Sequence, residues 1–540
     1  MINQILRTAV FIAALALVGD VQGQTISVSS TSPARHTGAP ITTPISVTFD
    51  RAVNRTTISP QSFWAFGRWS GPADGTFEYS NGDQTVTIRP TRKLTVGEPV
   101  TVTIGDSVRG ADGSPFRAQG YQYQFMTFVR PGKMSFTQID SITTNIVPAD
   151  FTRIYGAAAS DLNRDGFMDL TVINEVSADI RVFLNRADST GLYYPFLTPT
   201  VNEIEASPNE PSDFNRDGLI DLATANTTGS TVAIHLGNGD GTFDPRQVVS
   251  VGSAPHGLAV MDADGDGDID LATSNTSGNN VSVMLNNGSG VFGAAASFDA
   301  GCSGEYALGA ADMDEDGILD LVIGCINSQT VRIWKGQGNG TYTFLTSASA
   351  GGNVWMIALG DVNGDGNVDV ASSNDGSGNG GIMLGNGVGG LANAVTYPIA
   401  GTAIATDLGD FDGDGDLDWV MSSFSGSTWK LYRNNGNGTF VSQQDWMADA
   451  NPSCAVILDF DNDRDLDLVF TDEIEDTIRL MRNDSYCSAD FDHNNVVNVP
   501  DIFAFLSAWF GDVWTADWNE SGSNNVPDIF GFLSAWFGPC

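Results

Sequence analysis

The side chains best placed for chemistry are carboxylates. The stretch Met261 to Leu271, MDADGDGDIDL, puts Asp262, Asp264, Asp266 and Asp270 at positions 1, 3, 5 and 9 of a tight turn. Like charges held this close repel, so the set needs a neutraliser, and oxygen-only donors select a hard divalent cation. Gly267 at position 6 supplies the positive φ that so sharp a turn demands, and the Asp268 carbonyl at position 7 adds an oxygen.

The same spacing returns at Asp161, Asn163, Asp165 and Asp169; at Asp213, Asn215, Asp217 and Asp221; and at Asp312, Asp314, Asp316 and Asp320. It continues at Asp361, Asn363, Asp365 and Asp369; at Asp410, Asp412, Asp414 and Asp418; and at Asp459, Asp461, Asp463 and Asp467. Successive first aspartates lie 52, 49, 50, 49, 49 and 49 residues apart, the mark of a repeat architecture. Asn at position 3 of the first, second and fifth copies lowers the charge and, with it, the expected affinity. Arg464 replaces the position-6 glycine of the other six loops, at a cost of about 1 kcal/mol if the left-handed conformation is kept. The seventh loop is therefore the weakest expected site.

Such loops need two strands to hold their ends. Each repeat supplies them: HGLAVMD, the loop, IDLATSN, a turn, NVSVMLN, the turn NGSG, then VFGAAASFD read as four short strands, with the carboxylate loop joining the first to the second. Four strands in each of seven repeats predict a seven-bladed β-propeller over residues 134–486. On these residues the repeats resemble the FG-GAP or VCBS repeats, blades that also build the integrin α-subunit head. That resemblance implies calcium in loops on one face and recognition of a protein or glycan on the opposite or side surface.

A second kind of loop occupies residues 487–540. ADFDHNNVVNVPDIFAFLSAWFGD is followed, 27 residues on, by ADWNESGSNNVPDIFGFLSAWFGPC. Asp490, Asp492, Asn494, Asn498 and Asp501 fall at positions 1, 3, 5, 9 and 12, as do Asp517, Asn519, Ser521, Asn525 and Asp528. This is the ligand spacing of an EF-hand loop with Asp for Glu at position 12. Pro500 and Pro527 mark helix starts, Gly511 and Gly538 the stops. Ile502, Phe505, Leu506 and Trp509 form one apolar stripe, repeated by Ile529, Phe532, Leu533 and Trp536, with Phe503, Phe510, Phe530 and Phe537 beside them. The expectation is that the stripes pack on each other, leaving the flanking phenylalanines to a partner. These duplicated halves resemble dockerin modules, which implies calcium and a cohesin-like or other surface partner. Asn495 departs from the usual glycine at position 6 of the first loop.

Residues 24–130 contain no such loop. Alternating runs such as PISVTFD, QTVTIRP, PVTVTIG and YQYQFMTF predict a small antiparallel sandwich. PISVTFDRAV, ISPQSFW and YQYQFMTF make it resemble the Ig-like domains of bacterial secreted and surface-layer proteins, which implies a spacer. The fold expected of the whole is thus mostly β: an Ig-like sandwich, a seven-bladed propeller and a small helical calcium-loop module.

The chain has 540 residues and a formal charge of −40, which argues against nucleic acid or an anionic membrane as partner. Residues 1–23, with an early Arg and an apolar run from Ala9 to Val18 too short to span a bilayer, read as a secretory signal peptide. Nothing later reads as a membrane span. An exported chain meets abundant calcium and oxidising conditions, so Cys487 with Cys540 and Cys302 with Cys325 are candidate disulfides that leave Cys454 over.

No serine elbow, zinc signature or phosphate loop is present, and the histidines are only His36, His235, His256 and His493. No catalytic residue is assigned. Carboxylates such as Glu175, Glu203, Glu205 and Glu305 are ones a glycosidase could use, with surface solvation their expected role. The expected function is a secreted, calcium-binding, non-catalytic recognition protein whose propeller takes a glycan or protein and whose tail anchors it to a surface or complex. The alternatives are a polysaccharide lyase or glycosidase delivered by the tail, marked by His, Arg, Tyr and carboxylate converging at the propeller centre, and a purely structural cell-surface protein.

Overall fold

In the computed structural model, residues 25–147, 151–202, 206–519 and 521–538 are described. The expected signal peptide, Glu203, Glu205 and Cys540 lie outside them. Between Gly132 and Ser485 the chain forms seven four-stranded antiparallel sheets. In each, the strand after the carboxylate loop, such as Asp270–Asn275 or Asp467–Asp472, is buried along its length, Asp375 at the end of the fifth excepted, because a neighbouring sheet covers each face. The innermost strands are Ile154–Ser160, Ala206–Ser212, Pro255–Met261, Glu305–Ala311, Asn353–Gly360, Ala403–Gly409 and Pro452–Leu458. Each touches the next and the last touches the first, so the sheets close into a propeller.

Closure uses a strand that the repeat pattern does not contain. Gly132–Thr143, ahead of the first repeat, pairs antiparallel with Thr477–Ser485 as the outer strand of the seventh sheet. Both ends of the ring thus share one hydrogen-bonded sheet. Phe136 on this strand is buried, edge-on to Phe411 (5.6 Å between centroids) and Trp446 (5.4 Å), and so ties the seventh sheet to the sixth.

The Ig-like domain is a two-sheet sandwich around Val47, Phe49, Phe63, Val86, Val102 and Phe125. It is not a detached spacer, because it sits on the carboxylate-loop face of the propeller. Trp64 Nε1 donates to the Gly267 carbonyl (3.0 Å), Asp106 N to Gly265 O (2.8 Å), Gln122 N to Gly317 O (2.8 Å) and Asp161 N to Trp69 O (2.8 Å). The Arg68–Trp69–Ser70 turn enters the central channel. Buried Glu98 shapes that turn by accepting the N–H groups of Trp69 (2.8 Å), Ser70 (2.9 Å) and Thr95 (2.7 Å), and Arg68 reaches Glu210 on a propeller strand (3.1 Å).

The tail forms helices α1 (Val499–Phe510) and α2 (Val526–Trp536), each with proline in its first turn and a capping box, Asn498 with Asp501 and Asn525 with Asp528. α1 ends at Gly511 as expected, whereas α2 ends at Phe537, one residue before Gly538. Phe505 and Phe532 are buried and stacked at 4.3 Å, so the stripes pack on each other. Phe503, Phe510, Phe530 and Phe537 are exposed. Trp514 stacks on Phe128 at 4.6 Å and Arg130 lies over Trp518, which seats the tail against the Ig-like side. Cys302 and Cys325 are disulfide-bonded, and Cys454 is free.

The closing strand yields a prediction. Phe136→Ala removes a buried ring on the strand where the two ends of the ring pair, and should cost about 3–5 kcal/mol, read as a lower denaturant midpoint. A loss below 1 kcal/mol would mean that the ring does not depend on this closure.

Candidate functional site

Each propeller loop is built on two aspartates with separate tasks. At position 1, Oδ2 accepts the N–H of position 6 in all seven loops, from Gly166, Gly218, Gly267, Gly317, Gly366, Gly415 and Arg464. That bond turns the position-6 backbone left-handed, with φ between 82° and 97°. Arg464 holds φ 83°, so the seventh loop keeps the shape of the others despite the missing glycine.

At position 9 the carboxylate is a brace. In every repeat its Oδ2 accepts the N–H of position 2 and its Oδ1 accepts an N–H at the end of the third strand. In the third repeat, for example, Asp270 takes Ala263 N (2.8 Å) and Asn286 N (2.7 Å). Asn286 then donates its side-chain amide to Phe214 O of the preceding repeat's loop (2.7 Å). Asn185, Asn434 and Asn483 do the same to Phe460, Val362 and Phe411. One carboxylate therefore ties loop to strand, and in these four repeats its asparagine partner ties the sheet to its neighbour, whereas Gly237, Gly336 and Gly385 stand there in the other three.

Three carboxylates converge within 4.8 Å at five of the expected sites: Asp262, Asp264 and Asp270; Asp312, Asp314 and Asp316; Asp410, Asp412 and Asp418; Asp459, Asp461 and Asp467; and, in the tail, Asp490, Asp492 and Asp501. Asp266, Asp414, Asp463 and Asp320 are outside these sets. At position 5, Oδ1 turns to the N–H of position 7, as Asp266 does to Asp268 (2.9 Å).

In the first, second and fifth loops the Asn amide donates to the position-5 carboxylate: Asn163 to Asp165, Asn215 to Asp217, Asn363 to Asp365. These loops satisfy themselves in part without a cation. In the second tail loop Asn525 donates to Ser521 (2.6 Å) and Asp528 accepts from Asn519 N (2.9 Å) and Asn525 N (2.6 Å), with Asp517 taking Ser521 N and Gly522 N. In the first tail loop Asn494 N and Asn495 N donate to Asp490, while Asp501 braces Asp492 N and Asn498 N.

The donor set fits a hard cation. It is all oxygen, it is gathered in loops that force carboxylates together, and Asp314 Oδ1 is buried with no hydrogen-bond donor of its own. Burial, and after it the neighbouring carboxylates, push these groups upward: Asp213 and Asp312 to about 6, Asp369 and Asp410 to about 7, Asp169, Asp221, Asp320 and Asp418 to about 8. Asp262, Asp270, Asp459 and Asp467 are raised well above the usual range. Asp465, beside them, is buried and pushed up to about 10, a carboxylate that the spacing counts only for its carbonyl. Cationic side chains meet part of this charge. Arg92 and Arg35 reach from the Ig-like domain to Asp161 and Asp312, Lys335 to Asp314 and Asp316, and Arg433 to Asp412 (3.0 Å).

Sequence spacing missed a second cluster, at the channel end away from the loops. Tyr155, His256, Tyr306 and Trp355 start four inner strands that are 49 to 101 residues apart along the chain, so no linear motif joins them. Tyr155 Oη lies 2.8 Å from His256 Nε2 and 3.3 Å from Tyr306 Oη. Ring centroids are 3.6 Å apart for His256 and Tyr306 and 4.5 Å for Tyr306 and Trp355. Beside them Arg153 pairs with Glu473 (2.6 Å) and Glu175 (2.7 Å). Burial drives His256 down to about 3 and Glu473 up to about 7.

Comparison with known proteins agrees with this anatomy. Residues 23–127 match the Bacterial Ig-like domain family, and five overlapping segments, 213–273, 262–323, 312–372, 361–421 and 410–470, match the FG-GAP-like repeat. Each segment begins on the first aspartate of a loop and runs through the next. No curated protein matches. Among similar solved structures, BBS1N bound to ARL6DN is 9% identical over 64% of this chain and 97% of its own (TM-score 0.47). An Agrocybe aegerita lectin specific for non-reducing terminal N-acetylglucosamine is 16% identical over 74% and 98% (TM-score 0.40). A catalytically inactive virginiamycin B lyase from Staphylococcus aureus with quinupristin is 11% identical over 64% and 99% (TM-score 0.44). Likenesses this distant carry no argument about ligand or activity.

Two predictions separate the roles within a loop. Asp418→Asn puts an amide opposite two backbone N–H groups and should cost about 2–3 kcal/mol with or without metal, whereas Asp412→Asn, which trades an exposed pair with Arg433 for less repulsion, should shift the chelated protein's melting temperature far less and mainly reduce the rise produced by a divalent cation. Equal effects in both conditions would erase the distinction between brace and ligand. The pH dependence has a definite sign as well. Folded values of about 6 to 8 against about 3.9 in the unfolded chain mean that the native state holds extra protons. Stability in chelator should therefore fall as pH rises from 5 to 8, and a saturating divalent cation should flatten that slope.

Proposed function

We propose that this chain is a calcium-stabilised, non-catalytic recognition protein, exported by its N-terminal signal, whose propeller binds a glycan or protein. The observation that carries this reading is the division of the propeller's two faces. Carboxylate loops lie against the Ig-like domain, where a cation would link strands, and the opposite end of the channel carries aromatic and charged side chains. Calcium is the cation that suits flexible, oxygen-only loops in an exported protein. It acts by stabilising the folded form that alone assembles the loops. The tail, dockerin-like in loop spacing and helix duplication, anchors the molecule through its four exposed phenylalanines. No helix among the described residues is long and apolar enough to cross a membrane.

A second reading rests on the channel cluster. Tyr155, His256, Arg153 and two glutamates are residue types from which a polysaccharide lyase or glycosidase draws its acid and base.

One experiment divides these readings. The full-length protein, in calcium or in chelator, is offered to immobilised plant, algal and bacterial polysaccharides while retention and new chain ends are followed together. Retention without new ends, lost on chelation, is the expected result. New chain ends would replace recognition with catalysis, and no retention on any polysaccharide would leave a protein ligand or a purely structural role.

A further inference from the structure

The seven propeller loops share a shape but differ in what stands beside their carboxylates. In the first, second and fifth, the position-3 asparagine already donates to the position-5 carboxylate. In the fourth, Arg35 pairs with Asp312 and Lys335 with Asp314 and Asp316; in the sixth, Arg433 pairs with Asp412. The third has no such pairs, but Asp264 is half-buried and Asp266 exposed, so water screens them.

The seventh loop has none of these reliefs. Asp459, Asp461 and Asp467 are the one converging set, among the described residues, in which all three carboxylates are buried. No described lysine or arginine forms an ion pair with them, and Arg482, placed on the third strand as Lys335 and Arg433 are, acts on Asp461 only at longer range. Asp465, at position 7, adds a fourth buried carboxylate. It is 1% exposed, and neither of its oxygens has a hydrogen-bond donor. The Ser485 hydroxyl beside it donates to Asp463 instead. Of the carboxylates that bear on Asp467, Asp465 bears on it most, so its side chain faces the set. Asp268 and Asp416, at the same position of the third and sixth loops, are half-buried. A buried carboxylate without donor or counter-ion is costly, and each one opposes the ionisation of the rest. An oxygen-bound cation relieves all four together, and affinity in such loops rises with their charge.

The loop also stands where the ring closes. Asn462 Nδ2 donates to Gly166 O of the first loop (3.0 Å), and Asn185 Nδ2 of the first repeat donates back to Phe460 O (2.7 Å). Ser485, which reaches Asp463, lies opposite Gly132 at the start of the closing strand. Just ahead of that strand, Arg130 N donates to Arg464 O (2.7 Å). First repeat, last repeat and closing strand therefore meet at residues 459–467.

From these contacts we infer that the seventh loop is the tightest divalent-cation site of the propeller, strengthened by the side chain of Asp465, and that the ion it holds is the clasp of the ring. The missing glycine does not prevent this, because Arg464 reaches the required φ of 83°. The inference rests on the calcium reading above and adds which loop dominates and what its ion holds together.

The test follows hydrogen exchange of the full-length protein at rising free calcium, with protection read loop by loop. Residues 459–467, with strands Gly132–Thr143 and Thr477–Ser485, should reach half-protection at free calcium about tenfold below that of any other propeller loop. Asp461→Asn, which reproduces the asparagine of the first, second and fifth loops, and Asp465→Asn, which removes the extra charge, should each raise that midpoint about tenfold. Either serves if the other does not fold, and Asp412→Asn in the sixth loop should leave the midpoint in place. Earlier protection of another propeller loop would overturn the ranking, and a midpoint indifferent to both seventh-loop variants would overturn the role of these carboxylates. Protection of the loop without the two strands would overturn the clasp. Absence of calcium-dependent protection throughout the propeller would instead sink the calcium reading itself.

Discussion

The propeller depends on a single repeated interaction: a buried aspartate at position 9 of each loop that accepts one N–H from the loop and one from the end of the third strand. Strands in a blade are short and their turns rich in glycine, so strand pairing alone leaves the loop end of each sheet poorly defined. A carboxylate with two backbone donors is a strong, directional brace, and a buried one left with a single donor is expensive. Because the residue it fixes, often an asparagine, donates onward to the preceding loop, the same interaction sets the spacing between sheets. Loop, blade and ring are one hydrogen-bonded system.

That economy concentrates negative charge where water is scarce. Burial opposes ionisation at positions 1 and 9, and the position-3 and position-5 carboxylates add to the repulsion. A divalent cation could answer this problem; a reaching arginine or lysine and an asparagine in place of one aspartate are two answers already built into the chain, and different loops use different ones. Arg35 and Arg92 supply the first of these from another domain. The Ig-like domain thus contributes to the electrostatics of the propeller, and its contact with the loop face is more than packing.

The contact has a functional consequence. With Trp64, Glu98 and the Arg68–Trp69–Ser70 turn committed to the loop face, the molecule presents its opposite face to the surroundings. The tail lies against the same Ig-like side through Trp514 and Trp518, so carboxylate loops, sandwich and helical tail gather at one end and the aromatic channel mouth stands at the other. A protein held by its tail would offer that mouth outward.

What the sequence determined by itself was everything local. The 49- to 50-residue spacing of Asp262, Asp312, Asp361, Asp410 and Asp459 established the repeat, alternation established the strands, and Pro500 and Pro527 marked the helix starts, because each is a local signal or one copied at a single period. Spacing could not separate the two tasks of the loop aspartates, since ligand and brace are the same residue type, and the partner of Asp270 is a backbone N–H sixteen residues on. It also could not pair Gly132–Thr143 with Thr477–Ser485, seat the sandwich on the loops, or bring Tyr155, His256, Tyr306 and Trp355 together. Those contacts exist only once the ring has closed, when residues hundreds of positions apart become neighbours through a curvature that no single repeat contains.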